Sequence, residues 1–167
     1  MKSCTCVGAG TVDTLVTIRP ATKADQATIR RFIKAANLNP MSLRWPNFLV
    51  AEDEGAIVGV GQVKPHADGS RELASMAVLP QRQGQGIGRA LIERLMGREN
   101  GAVLHLTCKR ELEGYYERFG FRRLERAEFT PYYARMMPII NFVAGIFGTR
   151  ILVMRHRAPA LGPQPSN

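Results

Sequence analysis

Apolar residues recur along this chain in two rhythms, a period of about two in most stretches and a helical spacing in a few. Residues 15–18 (LVTI) alternate as a first strand, closed by Arg19-Pro20. Thr22 with Asp25 three residues on has the form of a helix N-cap with an acidic first turn. Ile29, Phe32, Ile33 and Ala36 then share one helical face, with Arg30, Arg31 and Lys34 opposite, predicting an amphipathic helix of roughly four turns. Two prolines interrupt 37–47, which holds the only Trp. Strands follow at 48–51 and 57–63, joined through Glu52-Asp53-Glu54-Gly55, a hairpin signal. A second turn at 65–69 leads into a strand over 72–79. Ile87, Leu91 and Leu95 mark the buried stripe of the next helix, which fades near 97–101. Residues 102–107 form a strand, 111–119 a short helix stopped by Gly120, and 121–124 and 150–154 the last two strands.

The segment 130–148 departs from both rhythms. It is apolar, carries no acidic residue and is shorter than the ~20 residues a membrane span needs. Pro138, Gly145 and Gly148 argue against a long straight helix. Three roles remain open for it: a core-capping helix, a wall of the substrate site or a homodimer contact, and a membrane-surface element.

Composition narrows the class. A chain of 167 residues with 45% apolar content can bury a core without disulfides or metal. We read 1–13 as a flexible leader, 14–157 as one domain and 158–167 as a disordered tail. Three cysteines (Cys4, Cys6, Cys108) form no even framework, and the N-terminus has no continuous apolar core of a secretory signal, so a cytoplasmic setting is expected. Cys4-x-Cys6 has no second ligand pair, so no metal is expected. The formal charge of +9 favours an anionic partner: a polyphosphate cofactor, an acidic substrate, nucleic acid or a membrane surface. No zinc-finger, RRM or KH signature points to nucleic acid.

The stretch 72–91 carries the chemistry. An apolar strand runs to Pro80, a loop rich in Gly and Gln follows, and a helix begins near Ile87. Such a loop offers free backbone N–H groups and the positive end of a helix dipole to a phosphate. A dinucleotide fingerprint does not fit, because its third glycine falls on Arg89 and no acidic residue follows at the required distance. No P-loop sequence is present. Three alternating glycines at a helix start weaken the helix unless close backbone approach is needed.

Val78-Leu79-Pro80-Gln81-Arg82-Gln83-Gly84-Gln85-Gly86-Ile87-Gly88 resembles the acetyl-CoA signature of the GNAT superfamily of N-acetyltransferases, V-x-P-x-x-[RQ]-G-x-G-x-[GA]. Tyr116-Glu117-Arg118-Phe119-Gly120-Phe121 resembles the family's second hallmark, Y-E-x-x-G-F. The resemblance covers residues 15–125 in element order. It implies a mixed α/β (α+β) fold, with a mostly antiparallel sheet splayed around an acetyl-CoA site and helices on both faces. Lys109 stands where family members often carry Asn, and 130–148 exceeds a plain connection between the last strands; both bear on acceptor choice.

The resemblance implies roles for named residues. Gln83, Gly84, Gln85, Gly86, Ile87 and Gly88 would hold the pyrophosphate, with Arg89 adding charge at the helix start. Met76, Ala77 and Val78 would pair with the pantetheine arm as an added strand, one N–H facing the oxyanion. An amine with pKa about 10.4 must lose a proton before it attacks, and Glu72 is the candidate base if burial or a bridging water helps it. His66 is a weaker candidate, and His105, in mid-strand, reads as a packed core residue. Tyr116 matches the family's proton donor to the leaving thiolate, whereas Tyr115 only borders that position. Cys108 lacks a sign of activation as a nucleophile. The reading is direct acetyl transfer to the primary amine of a small molecule or peptide. Its alternatives are an acceptor such as aminoacyl-tRNA, drawn by charge, and a non-catalytic acyl-CoA-binding or sensing module.

Overall fold

The computed structural model describes residues 16–156; the 1–13 leader, the Cys4-x-Cys6 pair and the 158–167 tail lie outside them. Seven strands form one sheet: β1 Thr17–Pro20, β2 Phe48–Asp53, β3 Ala56–Pro65, β4 Arg71–Val78, β5 Leu104–Lys109, β6 Phe121–Arg123 and β7 Ile151–His156. Their order is β1-β2-β3-β4-β5-β7-β6. Every neighbouring pair is antiparallel except β4–β5, which is parallel. Four α-helices cover it: α1 Gln26–Ala35, α2 Ile87–Arg98, α3 Glu113–Glu117 and α4 Pro131–Ile146.

Side-chain alternation sorts the helices onto two faces. Leu91 and Leu95 of α2, with Tyr116 and Phe119 at α3, pack on Leu73, Leu104, Leu106 and Met154. On the other face, Ile29 and Ile33 of α1 cover Phe48, Val50 and Val60, while Tyr133 and Met137 of α4 cover Val153 and Leu124. The expected helix over 22–36 is shorter than predicted, because a 3₁₀ turn occupies Lys23–Asp25. There the Asp25 carboxylate accepts the Thr22 N–H at 2.7 Å and an Arg19 N–H at 2.8 Å. The first strand lies two residues later than expected and includes Pro20, which an edge strand tolerates.

One irregularity shapes the centre of the sheet. Val60 pairs with Ala77 and Gln62 with Ala74, so Ser75 and Met76 together oppose Gly61. Ser75 adopts φ 55°, and its Oγ accepts a hydrogen bond from the fully buried Gln62 Nε2 at 2.8 Å. Gly61 is required opposite this bulge, since a Cβ there would run into the Met76 sulfur and come within 3.0 Å of Leu95. The extra residue resets the alternation, so Leu73, Met76 and Val78 all pack on the α2 side. After Glu72, three residues before the bulge begins, β4 parts from β5 while it stays paired with β3. The parallel pairing with β5 is confined to Arg71↔Leu104 and Glu72↔His105.

The segment 130–148 corrects the sequence reading. It is a continuous helix, α4, running through Pro138. Proline removes one N–H, whose partner would be the Ala134 carbonyl on an exposed part of the helix, where water can serve it. Gly148 does not break the helix but ends it: at φ 67° its N–H donates to Gly145 O at 3.1 Å while Thr149 N–H donates to Ala144 O at 3.1 Å, a Schellman stop. Tertiary bonds secure both ends of α4. Tyr132 N–H donates to Asp68 in the β3–β4 turn at 2.8 Å, and Asn141 accepts the Ile151 N–H at 2.9 Å.

Candidate active site

After β4 the chain turns through a 3₁₀ element at Pro80–Arg82 and reaches α2 by way of Gly84 and Gly86, both left-handed at φ 77° and 81°. Neither has a neighbour that a side chain would strike; it is the backbone conformation that calls for glycine. Among the described residues, the N–H groups from Gly84 to Arg89 donate to no backbone carbonyl, and Gly86 caps α2 without a side-chain bond. These free donors and the helix dipole lie at one cleft of about 660 Å³ between the end of β4, this loop and α3, with Gly84, Gly86, Ile87, Gly88 and Arg89 in its lining.

Met76, Ala77, Val78, Gln83, Gly84, Gly86, Ile87, Gly88 and Arg89 line the cleft, as does Tyr116. Gln85 does not: its side-chain amide turns back to Gln81 O at 3.4 Å, so any part it plays runs through its backbone. Arg89 is exposed and ion-paired with Glu93 at 2.8 Å one turn along α2. Arg82, not singled out by the motif reading, also lines the cleft and is fixed by Asp53 at 2.6 Å. Open volume, unspent backbone donors and nearby arginines fit a pyrophosphate-bearing ligand.

Tyr116 stands edge-on to Tyr115 and Phe121, with ring centroids 5.3 and 6.2 Å away. Burial pushes its phenol up to about 12, so at neutral pH it holds a proton it can donate. Tyr115 shares the cleft but is the more exposed of the two. Cys108 lies on the same face of the sheet, buried, with its thiol donating to Met154 Sδ at 3.7 Å. Burial, followed by the charges of Glu113 and Glu111, raises it to about 11, the reverse of what a nucleophilic thiolate needs.

Glu72 points to the opposite face. It is 4% exposed and borders a second cavity of about 160 Å³ with Lys64, Ala74, Ser75, Thr107, Tyr132 and Tyr133. Thr107 Oγ1 donates to Glu72 Oε1 at 2.9 Å; His66 Nε2 lies 2.8 Å and Lys64 Nζ 3.1 Å from Oε2. This corrects the expectation that burial would make Glu72 a stronger base. Burial does raise the carboxyl, but the His66 hydrogen bond, the Lys64 charge and Thr107 together outweigh it and hold it below its ordinary value. Glu72 is a fixed anion in a polar cluster. His66 stacks on Tyr132 with centroids 3.6 Å apart. Tyr133, fully buried, has a hydroxyl with no partner. His105 is buried beside Tyr133, at 5.3 Å between centroids, and burial followed by Arg155 lowers its pKa.

Lys64, Thr107, Tyr132 and Tyr133 were missed because they come from β3, β5 and α4, with no shared spacing in sequence. Lys64 alone was within reach, since a hairpin over 56–78 sets Lys64 directly across from Glu72. Among the described residues no group of three or more His, Cys, Asp or Glu could hold a metal, and no helix is long and apolar enough to cross a membrane.

A family model described as an acetyltransferase (GNAT) domain matches residues 44–123. A GNAT family acetyltransferase from Brucella melitensis, crystallised with acetyl-CoA, is 30% identical with a TM-score of 0.53, over 65% of this chain and 84% of that one. The chain belongs to the GNAT acetyltransferases. The seven-stranded sheet agrees with two further GNAT-fold structures. Rv2747 of Mycobacterium tuberculosis, in complex with CoA and NLQ, matches at TM-score 0.67 and 21% identity over 86% of this chain and 99% of that one. The Escherichia coli ribosomal-protein-S18-alanine N-acetyltransferase matches at 0.62 and 19% over 90% and 99%. No curated protein matches by sequence. As a GNAT acetyltransferase the protein uses acetyl-CoA as co-substrate, and the cleft at Gly84 and Gly86 has the open space and donors for it.

Proposed function

We propose that this acetyltransferase moves the acetyl group directly from acetyl-CoA to the primary amine of a small molecule or a peptide. One observation carries the reading: two cavities border consecutive residues of β4 at its bulge, 76–78 lining one and Ala74 and Ser75 the other. An acyl group laid along 76–78 then lies one strand's thickness from an amine held at Ser75. No covalent relay through the protein is needed, and buried Cys108 offers none.

Acetyl-CoA supplies the thioester. The N–H groups of 84–89 hold its phosphates, and a backbone N–H of 76–78 faces the acyl oxygen. Lys64 is paired with Glu72 at 3.1 Å, so the two bring no net charge to the amine site. A water bound at Glu72 takes the displaced proton and passes it on, the carboxylate staying ionised, with His66 on the same oxygen. Tyr116 gives its phenolic proton to the sulfur as the C–S bond breaks and the N–C bond forms. A pocket of about 160 Å³ suits a small terminal group beside the amine. The fold shared with the S18-alanine enzyme supports including peptide N-termini among the acceptors.

The test is an acceptor screen following CoA thiol release over polyamines, amino acids, aminoglycosides, peptide N-termini and lysine peptides. With the best acceptor, Glu72→Gln and Tyr116→Phe should each lower kcat by about 100-fold or more. Unchanged kcat in both variants would remove these roles. Tight CoA binding without turnover on any amine would leave an acyl-CoA-binding module instead.

A further inference from the structure

We infer that the outer face of α4 docks on an anionic lipid bilayer, its apolar stripe entering the acyl boundary while an adjoining arginine groove receives headgroup phosphates. The helix buries Tyr133, Met137 and Ala144. Directly opposite, Ile139, Phe142, Val143, Ile146 and Phe147 follow the i, i+3, i+4, i+7, i+8 spacing and are all exposed, at 60, 74, 49, 69 and 79%. A continuous stripe of this kind, ending in two phenylalanines, has no covering element among the described residues.

Charge decides what covers it. No acidic residue follows Glu128, and α4 itself carries only Arg135, exposed on the outer face one turn before Ile139. Along one flank of α4, under Ala134, Pro138 and Asn141, runs a groove of about 270 Å³ lined by Arg123, Arg126 and Arg150, with Glu125 its one acidic side chain. Glu128 is taken by Arg122 and Arg155. Arg123, Arg126, Arg135 and Arg150 therefore have no carboxylate within 4 Å among the described residues. Apolar side chains flanked by unanswered arginines match a surface of hydrocarbon beneath phosphates. A second copy of the same face would meet apolar with apolar but bring more arginine and no counter-charge.

The test uses the full chain and phosphatidylcholine vesicles with and without phosphatidylglycerol, read by co-sedimentation. Binding is expected only with phosphatidylglycerol, weakening as salt rises. The double change F142D/F147D should raise the lipid needed for half-binding at least about tenfold. Both phenylalanines lie away from the cofactor cleft, so CoA affinity and the thermal melt report that this variant is folded. The triple change R123Q/R126Q/R150Q should weaken retention, while inorganic phosphate at matched ionic strength should not displace the protein. Four results overturn the inference: no binding to phosphatidylglycerol vesicles; F142D/F147D binding like wild type; release by inorganic phosphate, which makes the groove a free-phosphate site; or a wild-type dimer that F142D/F147D dissociates, which makes the stripe a self-contact.

Discussion

Replacing Gly88 with leucine separates occupation of the cofactor cleft from integrity of the fold. Gly88 is the second residue of α2, and a Cβ built on it meets Tyr115 Oη at 3.5 Å and Val78 Cγ2 at 3.8 Å, both ordinary contacts. The backbone accepts a side chain there, and removing a helical glycine contributes up to about 1 kcal/mol of stability, less in a first turn. In a chain of this size that raises Tm by roughly 1–3 °C. The leucine branches, however, extend from a position in the cleft lining, beside Val78 and Tyr115, which line it too. Losing two hydrogen bonds to a charged phosphate, at about 1.5–3 kcal/mol each, weakens CoA by at least about 100-fold. Gly86→Ala should behave in the opposite sense. At φ 81° an alanine is strained by roughly 1–2 kcal/mol, so Tm falls, yet its single methyl meets no neighbour and adds far less bulk at the cleft than leucine, so CoA still binds. Calorimetric titration with CoA and melts with and without CoA read both effects. A Gly88→Leu protein that binds CoA within about threefold of wild type would refute the placement of the phosphates on this loop.

Three further outcomes are expected. Because the Glu72 carboxyl is held below its unfolded value of 4.5, its contribution is complete above that pH and is lost as pH falls through the folded pKa; the melting difference between wild type and Glu72→Gln should therefore shrink on acidification below about 4.5, and a constant difference from pH 7 to pH 3 counts against it. Tyr133→Phe removes a buried hydroxyl that has no partner, so Tm should hold or rise by the equivalent of about 1 kcal/mol, while the KM for the acceptor rises if the amine uses that hydroxyl; a clear loss of stability would mean the hydroxyl is satisfied within the protein. Cys108→Ala should keep kcat within a few-fold, and the native thiol should react slowly with a disulfide reagent at neutral pH because burial raises it to about 11; fast labelling would contradict that burial.

The cofactor half of the molecule is local in sequence, and so it was legible there. Val78 to Gly88 is one uninterrupted strand–loop–helix passage, and Tyr116 lies on a helix that Gly120 terminates; such features show in spacing and residue type. The second cavity, proposed for the acceptor, is assembled from β3, the β3–β4 turn, β5 and α4, whose partners meet only through sheet register. Glu72 stands out in sequence as a candidate, but the groups around it do not, and they turn the rise that burial alone would give into a fall. α4 was misjudged because Pro138 and two glycines count as breakers in an isolated helix, whereas here docking of Tyr133 and Met137, the Asp68 bond to Tyr132 N–H and the stop at Gly148 supply what propensity lacks.

The short β4–β5 pairing has a mechanical consequence. Backbone pairing at that seam stops at Glu72 and His105, so farther along the two strands the halves of the sheet are held by side chains instead: Leu91 and Leu95 of α2 on Leu104 and Leu106, Thr107 on Glu72, and Tyr132 on His66. Load between β1–β4 and β5–β7 therefore passes through packing and one polar cluster rather than through a ladder of backbone hydrogen bonds.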